Sequence, residues 1–143
     1  MSKAVFFCVG TGGHVLPVIN IIKTISKKGI NKSDMLVITD KRGEQYFSDS
    51  SVEIVTYPFI SSSKGIFGYF LKMFKILFSV FVIFRRLRNL NISFIFTTGA
   101  YIAPVAATLS IMLRTKFYIQ EQNIFAGLGN KVSAFCADSI FTS

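Results

Sequence analysis

Acidic side chains are scarce in this chain: 7 Asp and Glu stand against 16 Lys and Arg in 143 residues, a formal charge of +9. With 51% hydrophobic residues and 16 Phe, the imbalance points to anionic lipid in preference to nucleic acid, although a Lys-rich genome bias produces the same balance. Cysteine is nearly absent. Cys8 and Cys136 form no C-x-x-C pair and have no histidine at metal spacing, which excludes a zinc site or disulfide framework and fits a reducing, cytosolic compartment. The apolar run before Gly10 is too short for the core of an export signal, so no export is expected. There are no internal repeats or low-complexity tracts, and the length suits one domain with a sizeable core.

What is present is a regular alternation of strand and helix patterns. Residues 4–9, 35–39, 52–57, 94–97 and 116–119, and a segment from Ser139, read as strands; residues 16–28, 66–88, 103–113 and 128–135 read as helices. Asp40-Lys41-Arg42-Gly43-Glu44 is turn-like, and Ser61-Ser62-Ser63-Lys64-Gly65 reads as a loop. The pattern predicts an α/β fold, a Rossmann-like parallel sheet with helices on both faces and its site at the carboxyl ends of the strands.

Three strand-end loops carry the unusual residues. Gly10-Thr11-Gly12-Gly13-His14 breaks an apolar run and ends on the sole histidine. Such a turn presents backbone N–H groups and a positive helix end to an anion, commonly a phosphate. His14, with a reference pKa near 6.5, is a candidate general base; its plainer role is packing at a helix start. Glu121 and Asn123, in Gln120-Glu121-Gln122-Asn123, can orient a histidine or meet sugar hydroxyls, or form a solvated loop. Tyr101 can stack on a substrate or pack in a helix cap.

Within the long helix pattern at 66–88, nearly every residue from 66 to 84 is apolar; the exceptions Lys72, Lys75 and Ser79, with Arg86 beyond that window, fall on one stripe at 100° per residue. Its Phe and Leu, including Phe70 and Phe74, with Lys72, Lys75, Arg85 and Arg86, are expected to contact an anionic membrane surface. Lys72 and Lys75 weigh against a transmembrane span, which stays an alternative together with a plain core helix.

Together these segments resemble the amino-terminal half of the MurG family, bacterial enzymes that add N-acetylglucosamine to lipid I to make lipid II. The family's Gly-Gly-Thr-Gly-Gly-His loop stands here as Val9-Gly10-Thr11-Gly12-Gly13-His14, with Pro17 following. Its Gly-Gly-Tyr loop stands as Gly99-Ala100-Tyr101, and its His-Glu-Gln-Asn stretch as Gln120-Glu121-Gln122-Asn123. The resemblance implies residues 1–143 as the acceptor-binding, membrane-associating domain of a GT-B glycosyltransferase, whose carboxyl-terminal donor domain is absent. It implies inverting, metal-independent transfer from UDP-N-acetylglucosamine to an undecaprenyl-linked acceptor, with no cofactor, on the cytoplasmic face of the membrane.

Residue by residue, the resemblance assigns Thr11, Gly12 and Gly13 to the diphosphate and donor region, His14 to the base, Asn123 to the donor sugar, and Glu121 and Tyr101 to support. Val9, Ala100 and Gln120 depart from the family pattern and are expected to narrow the anion cradle and change one polar contact. Alone, the chain is expected not to turn over without a carboxyl-terminal domain or subunit. A non-catalytic recruitment subunit of a split transferase and a decayed fragment remain alternatives. A dinucleotide-binding oxidoreductase is disfavoured, because G-x-G-x-x-G is missing and Asp40 lies beyond the roughly 20 residues expected.

Overall fold

The computed structural model describes residues 2–48, 51–57 and 66–142, with the side chains of 66–73 outside that description. The predicted loop at 61–65 lies outside the described residues. Six apolar or alternating segments form the strands β1 (Lys3–Phe7), β2 (Met35–Thr39), β3 (Glu53–Thr56), β4 (Ile92–Thr97), β5 (Lys116–Glu121) and β6 (Ser139–Thr142). They make one parallel sheet in the order β3-β2-β1-β4-β5-β6. The helices are α1 (Gly12–Lys27), α2 (Lys41–Glu44), α3 (Ile66–Leu87), α4 (Ala103–Leu113) and α5 (Leu128–Ala134).

The continuous apolar runs of β1 and β2 are buried on both faces, as central parallel strands require. Val5, Phe7, Leu36 and Ile95 meet Ile83 and Leu87 of α3 and the buried face of α4. On the opposite face Phe6, Met35 and Val37 meet Val15, Val18 and Ile22 of α1. Among the described residues that second face is not covered throughout: Phe94, Tyr118 and Phe141 line an open groove of about 380 Å³ with Ile21 and Gln120.

Among the boundaries that differ from expectation, three bear on the site. Helix α1 starts at Gly12, four residues before Leu16, so Gly12, Gly13 and His14 form its first turn. Two glycines of low helix propensity conceal that start. Strand β5 runs on to Glu121, where pairing with β6 extends the ladder. Strand β1 ends at Phe7, before a turn at Gly10 with φ +90°.

Helix α3 corrects the stripe read from its sequence. Ser79 is buried and Arg86 bonds Glu53 of β3 at 3.0 Å, so part of the polar stripe faces the protein. The side turned to solvent is aromatic, with Phe74, Leu77, Phe78 and Phe81 exposed and the Arg85 guanidinium 6.0 Å from the Phe81 ring centre. Among the described residues no helix is long and apolar enough to cross a membrane. Phe70 and Lys72 lie in α3, their side chains outside the described ones.

Candidate functional site

Strand order reverses between β1 and β4, the position at which open α/β sheets place their binding sites, outside the carboxyl ends of the strands. The residues singled out from the sequence gather along this rim. His14, half-buried in the first turn of α1, places Nδ1 3.0 Å from the carbonyl oxygen of Thr98, just past β4. The Thr98 hydroxyl returns a bond to the His14 carbonyl at 2.7 Å. A carbonyl oxygen only accepts, so Nδ1 carries the proton and, in the neutral ring, Nε2 keeps its lone pair.

Thr11 is the N-cap of α1, exposed and making no side-chain capping bond. Gly12 N–H donates to the Tyr46 hydroxyl at 3.2 Å. Among the described residues a Cβ on Gly13 would meet nothing within 4 Å, so they leave space beside that first turn. Val9 does not narrow it: its side chain is buried in the core against the α3 and α4 layer.

The β4 and β5 loops are locked together. Gly99 has φ +95°, and a Cβ there would collide with the Asn130 side chain; a Cβ on Gly129 would collide with the Ala100 carbonyl. Asn130 Nδ2 donates to Glu121 Oε2 at 2.8 Å, while Glu121 Oε1 accepts the Asn123 backbone N–H at 2.9 Å and its Nδ2 at 3.0 Å. Burial raises the Glu121 carboxyl, but these amides outweigh it and hold the group below the usual carboxylate range. Glu121 therefore anchors Asn123 and Asn130, and the group that orients His14 is the Thr98 carbonyl. Gln120, at the family's histidine position, buries Oε1 with no hydrogen-bond partner among the described residues.

Ala100 has φ +63°. A left-handed conformation costs a non-glycine residue about 1–2 kcal/mol, so Ala is strained at the position where the family pattern has Gly. Tyr101 is half-buried and donates its hydroxyl to Asp40 Oδ2 at 3.3 Å. Burial first, then the Asp40 charge, push its phenol up.

Asp40 is the site residue that sequence reasoning missed. Its Oδ1 accepts Gly43 N–H at 2.9 Å, capping α2, and Gly10 N–H at 3.0 Å. Its Oδ2 accepts Arg42 Nε at 3.1 Å and Nη2 at 3.0 Å, besides Tyr101. One carboxylate thus ties the loops after β1, β2 and β4. Burial raises it, and the Gly10 and Gly43 amides and Arg42 outweigh that and keep it below its ordinary range. An Asp one residue past an apolar strand and three before Gly43 is an N-cap signal, and nothing more in the sequence marks its wider reach.

Cys8 is buried, and desolvation pushes its thiol up to about 12, so it stays protonated. Among the described residues no group of three or more His, Cys, Asp or Glu could hold a metal ion.

A family model for the glycosyltransferase family 28 N-terminal domain matches residues 4–142. A UDP-N-acetylglucosamine--N-acetylmuramyl-(pentapeptide) pyrophosphoryl-undecaprenol N-acetylglucosamine transferase of Prochlorococcus marinus is 30% identical over 131 residues, 92% of this chain and 35% of the relative. The enzyme of the same name from Thermosipho africanus is 29% identical over 140 residues, 93% of this chain and 40% of the relative. The crystal structure of Acinetobacter baumannii MurG superposes with a TM-score of 0.80 at 21% identity, covering 99% of this chain and 41% of that one. The chain therefore spans well under half the length of these relatives.

Proposed function

The chain belongs to the glycosyltransferase family 28 N-terminal domain family, and we propose that it supplies the acceptor side of a transferase that moves N-acetylglucosamine from UDP-N-acetylglucosamine to lipid I, giving lipid II. The observation that carries this reading is the bond from His14 Nδ1 to the Thr98 carbonyl across the strand-order reversal. It fixes the ring with Nε2 available as a base. In the proposed reaction Nε2 takes the proton of the attacking muramyl 4-hydroxyl, that oxygen bonds to C1 of the donor sugar with inversion, and UDP leaves.

The first turn of α1, with Thr11, Gly12 and Gly13, borders the pyrophosphate. Asn123, held through Nδ2 by Glu121, offers its amide oxygen to the donor sugar, and Glu121 acts as its positioning residue. Tyr101 holds the β4 loop through Asp40. The carboxyl-terminal domain or subunit that brings the donor has a surface to meet: Ile124, Phe125, Leu128, Val132 and Phe135, next to Asn123, are all exposed, and contiguous apolar exposure of this kind marks interaction sites.

The aromatic side of α3 supports a peripheral place on the cytoplasmic membrane face, where the lipid-linked acceptor resides. Phe74, 68% exposed, with Phe78, Phe81 and Arg85 is the membrane-contacting set; Lys75 flanks it. Arg86 is engaged by Glu53. The same face also favours a second reading, a recruitment subunit whose partner carries all the chemistry.

The test supplies the carboxyl-terminal portion of the Thermosipho africanus relative in trans, with labelled UDP-N-acetylglucosamine and a short-prenyl lipid I analogue. Labelled disaccharide product that requires this chain supports the reading. No product, where the relative's own amino-terminal portion restores it, contradicts it.

A further inference from the structure

The turn after β2 contributes two polar side chains to the rim that no role yet accounts for. Arg42 has five N–H hydrogens in a planar fork; Nε and Nη2 both reach Asp40 Oδ2, which fixes one edge of the guanidinium. The side chain is nonetheless 63% exposed, and Nη2 lies 3.8 Å from where a Cβ on Gly10 would stand. The guanidinium, which also interacts with the Tyr101 hydroxyl, is therefore held beside the glycine turn. An exposed ion pair of this sort contributes little to folding, and Asp40 is already engaged by Gly10, Gly43 and Tyr101.

Tyr46, in the 3-10 turn Gln45–Phe47, faces the same turn from the other end. Its hydroxyl oxygen accepts Gly12 N–H, and no described residue accepts its own proton. The ring is partly exposed. A planar cation and a hydroxyl donor, both pinned by backbone or carboxylate contacts, thus flank the glycine turn on its β2 side.

We infer that Arg42 and Tyr46 form a second wall of the oxyanion site whose first wall is the Gly10-Thr11-Gly12-Gly13 turn, and that the wall contacts a pyrophosphate diester. A fixed guanidinium suits adjacent phosphate oxygens, which accept paired N–H bonds, and Asp40 is the positioning residue that aims it. The inference rests on the glycosyltransferase reading, which provides two carriers of that chemistry, the lipid-linked acceptor and the nucleotide-sugar donor.

The intact chain is titrated calorimetrically with inorganic pyrophosphate, UDP-N-acetylglucosamine and a short-prenyl pyrophosphoryl N-acetylmuramoyl analogue, with thermal melts as a check on folding. Arg42→Ala weakens binding about tenfold or more, and Arg42→Lys recovers only part of it because a point charge cannot make the paired contact. Tyr46→Phe, which keeps the ring and loses the hydroxyl, weakens binding severalfold at an unchanged melting temperature. Dependence on Arg42 in the lipid-analogue arm or the UDP-sugar arm supports the wall and identifies its source. Equal affinity across folded variants, or no binding of any of the three probes by the unmutated chain, overturns it. Arg42-dependent binding without transfer, once a donor half is supplied, keeps the wall and removes the transferase reading.

Discussion

Asp40 gathers five hydrogen bonds from three loops on one carboxylate. Its pKa is lower in the folded chain than the ordinary value of about 4, so the folded state binds fewer protons than the unfolded state in acid. The stability it confers is present above about pH 4 and is lost as pH falls through the folded value. Asp40→Asn is expected to cost about 1–3 kcal/mol at pH 7, because donors aimed at Oδ2 lose their acceptor. It should also flatten the acid limb of stability against pH, measured by urea unfolding between pH 3 and 7. At Ala100 the change goes the other way. Glycine relieves the left-handed strain at φ +63° and adds entropy to the unfolded chain, so Ala100→Gly is expected to raise stability by up to about 1 kcal/mol in the same assay.

At the scale of elements, α3 shows what a sequence can and cannot say. Its period and its stripe of Lys75, Ser79 and Arg86 are legible, because spacing alone sets which residues share a side. Which side meets water depends on the sheet: Glu53, distant in sequence, takes Arg86, and Ser79 is buried. The start of α1 was hidden by Gly12 and Gly13 for a local reason, since helix propensity there is overridden by packing of Val15 and Val18. The exposed aromatic face carries a prediction of its own. Phe78→Ser with Phe81→Ser should weaken sedimentation with phosphatidylglycerol vesicles by about tenfold or more, and Arg85→Ala by about fivefold, the latter effect shrinking in high salt. Unchanged vesicle binding by the Phe pair would remove α3 as the contact.

For the whole molecule, the strand order β3-β2-β1-β4-β5-β6 brings the loops after β1, β4 and β5 to neighbouring positions on one edge. The alternating pattern of the sequence implied that edge, and the glycine turn, Tyr101 and Asn123 were legible as candidates along it. The links between them were not: His14 to Thr98, Tyr101 to Asp40 and Asn130 to Glu121 join positions far apart in the chain or across a loop and a helix start. Such contacts exist only once the sheet has formed. Asp40 is the sharpest case, since locally it reads as an ordinary N-cap.

The imidazole at the strand-order reversal is the proposed base, and one measurement addresses that role directly: the rate of N-acetylglucosamine transfer to the short-prenyl acceptor, with a donor half supplied, by the unmutated chain and by His14→Ala. A fall of about a hundredfold or more, with vesicle binding and melting temperature preserved, is the predicted result. Transfer at an undiminished rate by the folded variant would contradict it.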